Sequence, residues 1–213
     1  MKEEILIHEL AFRPEGTYDK ICDAKILVCG VGALGSNLID NLSRQGFSNI
    51  TILDYDVVEM HNIGTQTYCS YDLGKSKVSA AQRKLYRDIN CEVGIIDTEL
   101  TNDNTTLLEG YNLIVDTFDN STARAIVSEY CVDNNIPCVH AGMSDDGYSQ
   151  VVWNDNYAIP HDNDADDICD YPLARNLALI TASLLAEVIM QFIASNEKKN
   201  LDFTLMDMKT FLH

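Results

Sequence analysis

The sequence is short of basic residues: across 213 positions, 15 Lys and Arg stand against 33 Asp and Glu, a net charge of −18. A field of that sign repels nucleic acid and anionic membrane and favours a basic partner surface, so neither a nucleic-acid nor a membrane partner is expected. CxxC spacing is also missing, because the seven cysteines are scattered as Cys22, Cys29, Cys69, Cys91, Cys131, Cys138 and Cys169. That pattern suits neither a disulfide framework nor a zinc site, and it predicts reduced thiols, no zinc and a cytoplasmic setting. No apolar run is unbroken over a membrane's width: the longest, Leu177 to Ile193, is interrupted by Thr181, Ser183, Glu187 and Gln191. Behind Met1-Lys2-Glu3-Glu4 there is no apolar stretch of the kind a secretory leader needs. Four prolines and no low-complexity segment leave no linker marked, so one domain over 1–213 is expected, with 1–24 as an N-terminal arm.

Short β-rich runs are present at Lys25–Cys29, Ile50–Asp54, Val93–Asp97, Leu113–Thr117 and Pro137–Ala141. Apolar runs of this length suit strands covered on both faces. Helical patterns lie between them, near 34–45, 73–88, 103–109 and 121–134. The alternation predicts an α/β fold: a Rossmann-like, doubly wound, mostly parallel sheet. Later the character changes, with a strand at Gln150–Trp153, an Asp-rich loop over 154–172, a long apolar helix over 173–194 and a final strand at Phe203–Asp207. These would add late antiparallel strands to the sheet.

Gly30-Val-Gly32-Ala-Leu-Gly35 follows the first strand and opens a helix. There the glycines permit a tight turn and close backbone approach, while the helix N-terminus offers amide donors and a positive dipole end to a phosphate. Asp54 ends the second run, where a carboxylate can accept hydrogen bonds from ribose hydroxyls. Up to this point the pattern suits an NAD-dependent oxidoreductase equally well.

Beyond residue 54 the pattern departs from that class. The chain reads Asp54-Tyr-Asp56, then Asn62-Ile-Gly-Thr-Gln66, then Gly74-Lys-Ser-Lys77 at a helix start, and later Asp119-Asn120 with Arg124 beyond. This order resembles the ThiF/MoeB/HesA family, relatives of the ubiquitin-activating enzymes, over roughly residues 20–145 and again in the late helix and strand. The resemblance implies an adenylyltransferase that uses ATP and Mg2+ to activate the C-terminal carboxylate of a small ubiquitin-like or sulfur-carrier protein or peptide, working as a homodimer. It also implies roles: Lys77 on the triphosphate, Asp119 on Mg2+, and Asp54 on ribose with Asp56 beside it. Asn62, Gln66 and Asn120 would line the nucleotide site. Cys169, ahead of the long helix, would stand where related bacterial members place a thiol that accepts the activated acyl group.

The sequence departs from the family pattern at Thr65, where Asn-x-x-Arg-Gln has arginine. Threonine cannot supply a planar, bidentate cation to phosphate. Arg13, Arg44 and Arg83 are the candidates to replace it, and a catalytically impaired scaffold of the same fold is the alternative reading. The aspartates of the 154–172 loop (Asp155, Asp162, Asp164, Asp166, Asp167, Asp170) read as a solvated face or as a lid over a partner's tail. His140 and His161 read as a strand-end and a loop residue.

Overall fold

The computed structural model describes residues 2–160 and 172–213. Its centre is an eight-stranded sheet. The first strands are β1 (Ile26–Cys29), β2 (Ile50–Leu53), β3 (Gly94–Ile96), β4 (Leu113–Asp116) and β5 (Cys138–Met143). They pair in parallel in the order β3-β2-β1-β4-β5. Then β6 (Tyr148–Trp153), β7 (Leu201–Thr204) and β8 (Lys209–Leu212) continue the sheet antiparallel. The Rossmann-like, mostly parallel sheet with late antiparallel strands is therefore present.

Alternation along β1 feeds two cores. On one face Ile26 and Val28 of β1 meet Leu38 and Leu42 of α4 (Ala33–Arg44), Val78 and Leu85 of α5 (Lys77–Ile89), and Leu185 and Ile189 of α7 (Arg175–Ser195). On the other, Leu27 and Cys29 meet Ile126, Val127 and Cys131 of α6 (Ser121–Asp133). Each such aliphatic side chain, fully buried, stabilises by about 1.5–3 kcal/mol. Helix α7 is long and apolar enough, by length and composition, to cross a membrane. Here its Leu177, Ala182, Leu185 and Ile189 are buried in the protein.

Several boundaries differ from expectation. The stretch read as an arm is helical, with α1 (Lys2–Ile5), α2 (Ile7–Phe12) and α3 (Thr17–Asp23). Ile21 of α3 joins the core, which is what holds that helix in place. The segment near 103–109 is a 3-10 helix, Asn102–Leu108, whose backbone kinks at Asn104. The last predicted strand is not the last: β7 ends at Thr204 and a further strand, β8, follows the turn. Lys209–Leu212 is exposed along its whole length, so it offered no buried alternation to read. Of the 154–172 loop, a 3-10 turn at Asn154–Asn156 is described. Cys169, His161, Asp162, Asp164, Asp166, Asp167 and Asp170 lie outside the described residues.

Candidate functional site

The three glycines of the first turn do different things. Gly30 has φ +86°, and a Cβ there would meet Thr117 O at 2.9 Å. A Cβ on Gly35 would sit 2.0 Å from Gly30 O, so α4 can press against the turn only because residue 35 has no side chain. At Gly32 a Cβ would meet nothing among the described residues within 4 Å, which leaves space before the N-terminus of α4. Gly32 is the N-cap residue and supplies no side-chain cap. The first-turn amides thus face that space, which is the arrangement a phosphate needs.

Asp54 is buried and ties this turn to the next: Val31 N donates to its Oδ2 at 2.7 Å and Asp56 N to its Oδ1 at 2.8 Å. Burial pushes its pKa up, against the opposing pull of Lys77 and of those two N–H donors. The backbone of Lys77 donates to Asp56 O at 2.9 Å, which fixes the start of α5 beside the same turn. Lys77 itself is only 7% exposed, and its Nζ lies 2.8 Å from Asp56 Oδ2. Burial alone would lower its pKa; Asp54, Asp56 and Asp119 outweigh it, so the net shift is upward and the ammonium stays charged. Lys77 and Asp119, 42 positions apart (119 − 77), therefore sense one another across the ends of the strands.

Asp119 is exposed just beyond β4. Among the described residues no three His, Cys, Asp or Glu side chains gather around a metal-sized space. Asn120 is the N-cap of α6, its Oδ1 accepting from Ala123 N at 2.8 Å. Asn62 is buried, and its Oδ1 accepts from Glu59 N at 2.8 Å, closing the 3-10 turn Met60–Gly64. Both asparagines thus have a local structural job at the rim of the site. Gln66 is 9% exposed, and its Oε1 has no hydrogen-bond partner among the described residues. The Asn62–Gln66 segment lies along α4: Asn37 Nδ2 donates to Thr65 O at 3.0 Å and to Ala33 O at 2.7 Å.

Two of the arginines proposed to offset Thr65 are occupied. Arg13 grips Glu187 through Nη1 and Nη2, at 2.8 and 2.7 Å, and also Glu9. Arg44 pairs with Asp40 at 2.7 Å. Arg83 is exposed on α5.

Next to the glycine turn, on the other side of β4, is a network that sequence reasoning missed. His140 is not a strand-end residue: it is 1% exposed within β5, and its Nδ1 donates to Asp116 Oδ2 at 2.7 Å. Its Nε2 lies 2.7 Å from Asn154 Oδ1, and its ring stacks on Tyr157 at 3.7 Å. Arg124 donates to the Tyr157 hydroxyl at 2.9 Å and to Ala141 O at 3.0 Å, with Asp116 Oδ2 at 3.8 Å. Burial would raise the Asp116 pKa, but Arg124 and His140 together hold it below the usual carboxylate value. Cys138 Sγ lies 3.4 Å from His140 Nε2, which gives a Cys-His-Asp line. The thiol is 1% exposed and burial pushes its pKa well up, so this line offers no thiolate to a substrate. The missed signal was a pair of ionisable residues inside apolar strands, Asp116 and His140, which turn out to be register partners.

Known proteins share this sequence pattern and this architecture. The tRNA threonylcarbamoyladenosine dehydratase of Escherichia coli K12 is 34% identical over 125 residues, 56% of this chain and 46% of the relative. The SAMP-activating enzyme E1 of Haloferax volcanii is 30% identical over 134 residues, 61% of this chain and 49% of the relative. The chain thus spans about half the length of these curated relatives. In fold, Escherichia coli MccB solved with AMPCPP and MccA superposes with a TM-score of 0.79 at 19% identity, covering 92% of this chain and 65% of MccB. The ThiF family profile matches residues 6–211, nearly the whole sequence, and the chain belongs to the ThiF family.

Proposed function

We propose that the protein adenylates the C-terminal carboxylate of a small ubiquitin-like or sulfur-carrier protein, or of a peptide. One carboxylate oxygen attacks the α-phosphorus of ATP; the bond to the β-phosphate oxygen breaks, and pyrophosphate leaves with its electron pair. Relatives named as adenylyltransferases and activating enzymes support the reaction class. The observation that carries it is the convergence of the Gly32 opening, the buried cation Lys77 and the carboxylates Asp54, Asp56 and Asp119 at the C-terminal ends of the strands. Crevices in that position are where open α/β sheets take ligands.

In this reading the amides after Gly32 and Lys77 hold the phosphates, and Asp54 takes the ribose on its remaining lone pairs. Asp119 supplies one ligand to Mg2+. One exposed carboxylate fits that task, since Mg2+ bound to a nucleotide keeps waters and phosphate oxygens and needs only one or two carboxylates. Asn62, Gln66 and Asn120 shape the rim. The acceptor of the adenylate is the Cys169 thiol, a sulfur donor or an amine. One relative is named for a tRNA, but a net charge of −18 speaks against an RNA substrate here. A homodimer fits the exposed Ile7 and Phe12 of α2, and a cytoplasmic setting fits the free thiols of the described cysteines.

The test is ATP–pyrophosphate exchange with carrier proteins ending in Gly-Gly and with short peptides. Exchange should depend on Mg2+ and disappear in Asp119→Ala with the fold intact. ATP binding without exchange in any of them would favour the scaffold reading, and tight NADH binding would favour an oxidoreductase.

A further inference from the structure

Arg175 is the first residue of α7, and its position makes no local sense. A cation at a helix N-terminus faces the positive end of the helix dipole. Among the described residues Arg13, Arg44, Arg87 and Arg124 have ion-pair partners, whereas neither Arg175 nor Arg83 has one. The Arg175 side chain instead reaches backbone, Nη1 donating to Gly64 O at 3.0 Å. The guanidinium is thus laid on the residue before Thr65, the position at which the family pattern carries its arginine.

An open cavity lies beside it. Arg175 and Gly64 line an open cavity of about 550 Å3 together with Asn37 and Gln66. A short chain of contacts runs from the cavity to the first turn of α4. Gly64 precedes Thr65, whose carbonyl is held by Asn37, and Asn37 also reaches Ala33 O at the first turn of α4. The cavity's other cation, Lys84, is already neutralised by Asp40 and Asp88 at 2.7 and 3.1 Å.

We infer that Arg175 supplies, from the start of α7, the phosphate-binding guanidinium that Thr65 lacks, and that it contacts the β- and γ-phosphates of ATP. The inference rests on the adenylation reading and deepens it. The fork of the guanidinium suits phosphate oxygens as a lysine does not. Contact with the two outer phosphates makes a specific demand: Arg175 should matter for ATP and not for AMP.

Calorimetry with Mg-ATP and with AMP separates the possibilities without any carrier protein. For Arg175→Ala the expected result is ATP affinity weakened about ten- to a hundredfold, the range for a lost charge-assisted hydrogen bond, with AMP affinity within about twofold of the parent. Arg175→Lys should fall between, and adding Thr65→Arg to Arg175→Ala should restore ATP affinity by returning the charge to the neighbouring position. Thermal melts establish that the variants fold. Unchanged ATP affinity in folded Arg175→Ala, equal losses for ATP and AMP, or an effect confined to the KM of the acyl substrate would each overturn the inference and leave the adenylation reading standing. Failure of the parent protein to bind ATP would overturn both.

Discussion

Lys77 and Arg124 invite comparison, since each is 7% exposed at the C-terminal end of the parallel strands, yet their surroundings differ in kind. Arg124 is closed in by Asp116 at 0% exposure and the buried Ala141 carbonyl, with the half-buried Tyr157 hydroxyl beside them. Among the described residues Lys77 has one direct side-chain partner, Asp56, whose side chain is 46% exposed, and it feels Asp54 and Asp119 at longer range. A cation held by fixed, dry partners contributes to the architecture. One held by a carboxylate at the water's edge can exchange that partner for a phosphate.

The sharpest way to break this comparison is Asp116→Ala, which strands Arg124 as an uncompensated buried charge. The expected loss is about 3–5 kcal/mol of stability, read by denaturant unfolding. Equal stability to the parent would mean that the network is ornamental. Lys77→Met tests the other side. It should lower pyrophosphate exchange by about two to three orders of magnitude, the effect of removing one well-placed electrostatic contact, while moving the unfolding midpoint far less than Asp116→Ala does.

An acid titration sharpens the contrast further. The Asp116 pKa is lowered in the fold, so the stability it contributes is present above its unfolded value, about 3.9, and is lost as pH falls through the folded value. Melts between pH 6 and pH 3 should therefore show a steeper acid loss for the parent than for Asp116→Asn. Lys77 has the opposite sign: its raised pKa favours the fold below its unfolded value, near 10.4, and that contribution fades as pH rises through the folded one. The smallest expected effect is at the rim. Asn120→Ala removes the cap of α6 and should cost about 1 kcal/mol of stability, with exchange reduced only if the amide also meets nucleotide.

The parallel half of the sheet was legible because its signal is local. Ile26–Cys29 and Leu113–Asp116 are continuous apolar runs, and Gly30, Gly32 and Gly35 announce a strand-to-helix turn by type and spacing. Lys77 and Asp119 were nameable through family resemblance alone, since a single lysine and a single aspartate carry no pattern. The Asp116–His140 pair escaped because its members are 24 positions apart and meet only through strand register. The same holds for Arg175 and Gly64, 111 positions apart, and for the capture of Arg13 by Glu187 across 174. Such pairings are decided by which elements pack together. Strand β8 was missed for another reason: exposed on both faces, it carries no hydrophobic period.

One carboxylate of the crevice acts as a hinge pin. Because Asp54 receives the amide of Val31 on one oxygen and that of Asp56 on the other, the glycine turn and the loop that parks Lys77 cannot shift independently. The turn before Gly32 and the residue clasping the lysine are thus joined through that single side chain. Cutting the link with Asp54→Asn would uncouple the two halves of the crevice even where each kept its own shape.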